Sequence, residues 1–145
     1  RDSSTSRGLG DVYKRQVLVM FIDLDRLKYI NDTFGHEYGD FAIVSIAKAM
    51  LKHCDADAIA ARTGGDEFIV LEGAKDEESG RVLAQKIRTE LSKTQRAMQL
   101  PFDLGASIGA VVAHPGEENV LESYVKRAEM LMYEEKAEKK VSRDS

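Results

Sequence analysis

"VLVMFID", residues 17–23, decides the fold: six apolar residues in a row end on an acid. An unbroken apolar run of that length suits a strand buried on both faces, which belongs at the centre of a sheet. "ARTGGDEFIVL", residues 61–71, supplies its neighbours. Residues 57–62 and 67–72 read as two strands joined by Thr63-Gly64-Gly65-Asp66, and the strands of such a hairpin lie side by side. Taken alone, Gly64 and Gly65 provide the positive φ angles of a tight turn, and Asp66 and Glu67 are solvated turn acids. A second acidic group changes that reading. Asp23 and Asp25 stand where the first strand ends, and a hairpin beside that strand brings Asp66 and Glu67 close to them.

The remaining pattern supplies helices. Leu27, Ile30 and Phe34 recur at helical spacing, a break follows at Gly35 and Gly39, and an apolar-rich helix runs from about Asp40 to His53. A helix over 76–97 carries Leu83, Ile87 and Leu91 every four residues, with acids first and basic residues later, as its dipole favours. "FDLGASIGAVV" (102–112) alternates, with Phe102, Leu104, Ala106, Ile108 and Ala110 on one face, as a strand against helices does. Leu121, Tyr124, Val125, Ala128, Leu131 and Met132 form the stripe of a terminal helix, whose charge run "EEKAEKK" (134–140) reads as a solvated end. The order βααββαβα predicts an α+β domain over 17–140, a mostly antiparallel central sheet with helices packed on it. Residues 1–16 and 141–145 lack periodicity and share Arg-Asp-Ser, so both are set apart as flanks.

With 145 residues, 43% hydrophobic and 32% charged, the chain has room for one soluble domain with a single core. A net charge of -4 gives no overall reason to bind nucleic acid, so the expected partners are small molecules. No apolar run is long enough to span a membrane, and the expected location is the cytoplasm. Cys54, the one cysteine, reads as a buried inert thiol. His36, His53 and His114 are widely separated and read as surface or packing residues.

Carboxylates that cannot escape one another repel, and burying them without a cation costs on the order of several kcal/mol. A divalent ion removes that cost. The ligands are hard oxygens with no His or Cys placed among them, which favours Mg²⁺ or Mn²⁺ over Zn²⁺. Magnesium shares its shell with phosphates, so a nucleotide is the expected substrate. Arg26, Leu27 and Lys28 open a helix whose free N–H groups suit phosphate oxygens, and Lys28 adds charge, although alone it is an ordinary exposed lysine. Asn31 and Asp40, an amide and a carboxylate across a Gly-punctuated turn, match the donors and acceptors of a guanine edge; the same residue types also serve as turns and caps.

"GGDEF" at 64–68, preceded by "FIDLDRLKYINDTFGHEYGD" at 21–40 and followed by "SIGA" at 107–110 and "AEMLMYEEK" at 128–136, resembles the GGDEF domain of bacterial diguanylate cyclases over 17–140. The resemblance implies a nucleotidyl-cyclase or polymerase-palm-like fold. It also implies that two GTP molecules, held on two facing copies of the domain, are joined into cyclic di-GMP with release of two pyrophosphates. Asp23 and Asp66 would hold two Mg²⁺ or Mn²⁺ ions with the carbonyl of Leu24, and Glu67 would sit beside them in the catalytic site. Asp66 would accept the 3′-hydroxyl proton. Asn31 and Asp40 would bind guanine; Lys28 and Lys136, with the main-chain N–H groups at Arg26 and Leu27, would hold the β- and γ-phosphates. An upstream sensor domain, absent from this chain, would supply the signal.

Three features depart from the family pattern. Residues 1–16 lack the "DxLTGLxNR" stretch that usually precedes the first strand. Lys140 stands where a "GRN" segment places an arginine. The inhibitory Arg-x-x-Asp falls on Asp55-Ala56-Asp57-Ala58, so no product-inhibition site is expected. Two other readings stay open: a non-catalytic GTP-binding or interaction domain, which an altered signature acid would favour, and another nucleotidyl cyclase or polymerase palm, which the guanine-reading pair argues against.

Overall fold

Every residue of β1 (Val17–Leu24) after Val17 is buried, as its apolar run demands. In the computed structural model, which describes residues 16–114 and 121–144, β3 (Glu67–Gly73) and β4 (Ala106–Ala113) flank β1, both antiparallel. β2 (Ile59–Arg62) pairs with the outer edge of β3, giving the order β2-β3-β1-β4. The helices are α1 (Leu27–Phe34), α2 (His36–His53), α3 (Ser79–Ala97) and α4 (Leu121–Asp144). The element order is therefore βααββαβα, and the fold is α+β as the pattern predicts. Of the flank read at 1–16 all but Gln16 lies outside the described residues, and so does Ser145; α4 carries the chain through 141–144. Among the described residues no helix is long and apolar enough to cross a membrane.

The two-residue period of β1 divides the core. Leu18, Met20, Ile22 and Leu24 face one way, onto Ile30, Ala42, Ile46, Met50, Leu83, Ile87 and Leu91 of the first three helices. Val19 and Phe21 face the other way, with Val111 and Ala113, onto Tyr124, Ala128 and Met132 of α4. Each fully buried aliphatic side chain contributes roughly 1.5–3 kcal/mol, so both faces hold the sheet firmly. Gly109 sets the approach of α4: a Cβ there would lie 2.1 Å from the Ala128 carbonyl and 2.3 Å from the Met132 amide.

Several boundaries differ from the sequence reading. Gly35, at φ 103°, both ends α1 and precedes α2, so α2 begins at His36 and not near Asp40. Gly39 is not a break; it is buried inside α2, where a Cβ would collide with the Asn31 side chain. α3 begins at Ser79, because Ser79 Oγ accepts the N–H groups of Lys75 and Asp76 and turns 76–78 into its approach. The last strand spans 106–113 instead of 102–112, although Phe102 and Leu104 do reach the expected core. The apolar stripe on α4 is narrower than expected: Tyr124, Ala128 and Met132 are buried while Leu121 and Leu131 are exposed. Asp55–Ala58 is the turn into β2, closed by the Ala58 N–H donating to the Asp55 carbonyl at 3.0 Å.

Candidate metal and nucleotide site

At one end of the sheet, Asp23 of β1 stands opposite Glu67 of β3 and opposite Ser107 of β4. Directly paired residues share a face, and Asp23 lies two past Phe21, so this row of three points at α4. Asp23, Asp66 and Glu67 each offer a carboxylate oxygen within 4.8 Å of the others, the juxtaposition that the hairpin reading predicts. Like charges directly opposite one another destabilise a sheet unless a cation or a donor answers them.

The turn that carries two of these acids is held from several sides. The Leu24 N–H donates to the Asp66 carbonyl at 3.0 Å, and the Thr63 N–H donates to the Glu67 carbonyl at 2.8 Å. The Arg62 guanidinium donates to the carbonyls of Gly64 and Gly65. Neither glycine has the positive φ that a tight turn requires, which corrects that expectation: the last ladder pair is Arg62 with Phe68, and the reversal is spread over the residues between. A Cβ at Gly65 would meet nothing within 4 Å, and one at Gly64 only the Glu67 Cβ at 4.0 Å. The chain's own packing makes no use of their smallness, so the backbone here is left open to approach.

α4 answers the acids. Tyr133 Oη donates to Glu67 Oε2 at 2.7 Å, and Lys136 Nζ donates to Asp23 Oδ1 at 2.8 Å and to the Leu24 carbonyl at 3.1 Å. Lys139 Nζ donates to Asp25 Oδ2 and to the Ala106 carbonyl, both at 2.7 Å, while Ser107 Oγ donates to Asp25 Oδ1 at 2.7 Å. Residues three apart on a helix lie on one face, so Tyr133, Lys136 and Lys139 form a single donor row. Next to that row, Glu135 receives Arg88 through both oxygens, at 2.6 and 2.7 Å, and the Ile108 N–H at 2.8 Å. The run 134–140 is thus not a solvated end, as read from sequence; half of its charges are tied to the sheet.

Burial pushes the Asp23 carboxyl up to about 6; Lys136 opposes the rise and Asp66 adds to it. The hydrogen bond to Glu67 and then burial push the Tyr133 phenol up to about 12, so it stays a donor. The donor set is oxygen throughout: three carboxylates and the Leu24 carbonyl. It fits a hard divalent cation, and the ammonium of Lys136 shows that Asp23 and Leu24 converge on a positive charge.

The expected nucleotide-binding residues lie beside this cluster in sequence and on the adjoining helices. Arg26, in the left-handed region at φ 61°, opens α1, and its guanidinium lies 3.9 Å from the Tyr29 ring centroid. No side chain caps the start of α1 and no acid occupies its first turn, so the N–H groups around Leu27 are available to an anion. Lys28 is exposed and paired with Asp32 at 2.8 Å. The Asn31 side chain lies against Gly39, one residue before Asp40 on α2. Asp25 does not join the acidic cluster; Ser107 and Lys139 hold it.

Tyr133, Lys139, Ser107 and Arg62 take part without having been singled out in the sequence. The repeat of polar residues at 133, 136 and 139 is the signal that marks a second functional stripe on α4. Away from the site, Cys54 is half-buried, and burial pushes its thiol up to about 11, in keeping with an inert role. His53 and His114 pair with Glu90 and Glu77, at 3.0 and 2.8 Å.

Residues 3–142 match the family described as diguanylate cyclase, GGDEF domain. Diguanylate cyclase VdcA of Vibrio cholerae is 34% identical over 126 residues, which cover 84% of this chain and 37% of that protein. The chain spans well under half the length of the curated relatives it matches. Among solved structures, the GGDEF domain of YfiN, also called TpbB, from Pseudomonas aeruginosa superposes with a TM-score of 0.74 at 29% identity, over 92% of this chain and 84% of that one. The GGDEF domain of DgcB from Caulobacter crescentus, solved in complex with c-di-GMP, gives a TM-score of 0.69 at 28% identity, over 94% and 82%.

Proposed function

The chain belongs to the GGDEF domain family of diguanylate cyclases, and from that membership we propose that it condenses two GTP molecules into cyclic di-GMP, acting in the cytoplasm as a transient pair of domains under an upstream sensor. The observation that carries this reading is the meeting of Asp23, Asp66 and Glu67 within 4.8 Å beside the open Gly64-Gly65 backbone. Asp23, Asp66 and the Leu24 carbonyl are the residues to hold two Mg²⁺ or Mn²⁺ ions. When bound, those ions supply charge stabilisation at the α-phosphate and the departing pyrophosphate.

The chain's own residues do the rest. Asn31 and Asp40 hold the guanine edge, and the N–H groups at Arg26 and Leu27 hold phosphate oxygens. Lys28 and Lys136 bind the β- and γ-phosphates after leaving their present partners, Asp32 and Asp23. Asp66 takes the proton of the 3′-hydroxyl, and Glu67, steadied by Tyr133, adds to the field around it. The 3′-oxygen of one GTP bonds to the α-phosphorus of the other, whose bond to pyrophosphate breaks. The reverse transfer then closes the ring.

Incubating the purified chain with GTP and Mg²⁺, then separating the products by chromatography, should yield cyclic di-GMP and pyrophosphate. Asp66→Ala should lower the rate on the order of a thousandfold or more, with an unchanged circular-dichroism spectrum. GTP bound tightly but left unconverted by the unaltered chain would mean a binding domain and not a cyclase.

A further inference from the structure

We propose that Lys136 is a tethered cation that holds the metal-binding oxygens until a triphosphate arrives, so that the divalent ion and the nucleotide load together. The inference rests on the metal reading above and adds a regulation to it. Two atoms carry it: Lys136 Nζ donates to Asp23 Oδ1 at 2.8 Å and to the Leu24 carbonyl at 3.1 Å, which are the two β1 oxygens assigned to the metal. An ammonium and a divalent ion cannot share them. At this separation two positive centres repel, and each oxygen lone pair directed at Nζ is one that a metal would need.

The two partners differ in freedom. The Asp23 side chain is 4% exposed and fixed in the sheet, whereas the Lys136 side chain is 35% exposed and reaches the acid along a flexible stem. Exchange therefore moves the lysine and leaves the acid where it is. α4 itself stays in place, because Lys139 anchors the next turn on Asp25 and on the Ala106 carbonyl, and Arg88 anchors Glu135. Tyr133 bonds Glu67, not Asp23, and does not have to move. A displaced Lys136 needs a new anion, and a triphosphate beside the start of α1 provides one. By linkage, whatever factor the nucleotide adds to metal affinity, the metal adds to nucleotide affinity. The chain then resists free divalent ions and accepts them with their substrate.

The test uses the whole chain and Mn²⁺ followed by electron paramagnetic resonance at pH 8, without nucleotide. Lys136→Met should bind Mn²⁺ about tenfold more tightly than the unaltered chain, while Lys136→Arg, which keeps the charge, should not. In excess Mn²⁺, Lys136→Met should bind a non-hydrolysable GTP analogue more weakly. Changes of opposite sign are the signature; a residue that merely supports the fold would weaken both. In the unaltered chain, Mg²⁺ together with the GTP analogue should release the Lys136 ammonium from Asp23 at a Mg²⁺ concentration that alone does not, seen as a shift of its ¹⁵Nζ resonance, which needs no variant to fold. Equal Mn²⁺ affinity in Lys136→Met and the unaltered chain, lost in Asp66→Ala, would overturn the exchange alone. Absence of Mn²⁺ binding from every one of these proteins would overturn the exchange and the metal reading together.

Discussion

Asp23 shows at the scale of one residue that the carboxylate cluster costs the fold stability. Burial raises its carboxyl from 3.8 to about 6, so the folded chain holds that proton more tightly than the unfolded chain does. Between those values the unfolded state binds fewer protons, and stability therefore falls as pH rises; the full cost, roughly 2–3 kcal/mol, is reached above pH 6 and is absent below pH 4. Asp23→Asn removes the ionisation, and the one-third-exposed Lys136 can turn to water. In a buffer containing chelator, the variant should melt several degrees above the unaltered chain at pH 8 and level with it at pH 4. A melting temperature at pH 8 equal to or below that of the unaltered chain would refute this account. The signature acids were legible because an apolar strand that ends in Asp23 and a hairpin that turns on Asp66 leave few other places for them. Tyr133, Lys136 and Lys139 were not legible as their partners, since Lys136 meets Asp23 across 113 residues of chain and no local spacing marks such a contact.

At the scale of elements, the site depends on how closely α4 lies on β4. An unbroken apolar run made β1 legible, the turn residues 63–66 made the hairpin legible, and the four-residue spacing of Leu83, Ile87 and Leu91 made α3 legible, because each of these signals is local in sequence. The terminal helix was legible only in its apolar row; its polar row carries the site but follows no hydrophobic rule. Gly109 joins the two rows to the sheet. Adding a single methyl there places an atom 2.1 Å from the Ala128 carbonyl, so α4 must lift. Gly109→Ala should destabilise the fold by roughly 1–3 kcal/mol, the usual cost of overpacking, and pull Lys136 and Tyr133 from their acids. Gly73→Ala is the control, since a Cβ at Gly73 meets nothing within 4 Å. Comparable urea midpoints for the two variants would show that α4 does not need this close approach.

At the scale of the molecule, the described residues hold one carboxylate cluster, and the proposed reaction assigns it, with Asn31 and Asp40, a single nucleotide per chain. A product that contains two nucleotides therefore requires two copies of the chain under the proposed reaction, and the rate per chain should climb with protein concentration as pairs form. Mixing tests this more sharply than dilution. Asp66→Ala loses the metal's contribution to nucleotide affinity but keeps Asn31, Asp40 and the start of α1, so in saturating GTP it should still bind nucleotide and pair with an unaltered chain. In such a mixed pair one side lacks both the proton acceptor and a metal ligand, so the two transfers that make the ring cannot both be completed. Excess Asp66→Ala protein should therefore suppress cyclic di-GMP per unaltered chain. If the yield per unaltered chain stays constant as the variant is added in tenfold excess, each chain is completing both transfers without a partner's Asp66, and the paired-domain mechanism does not apply.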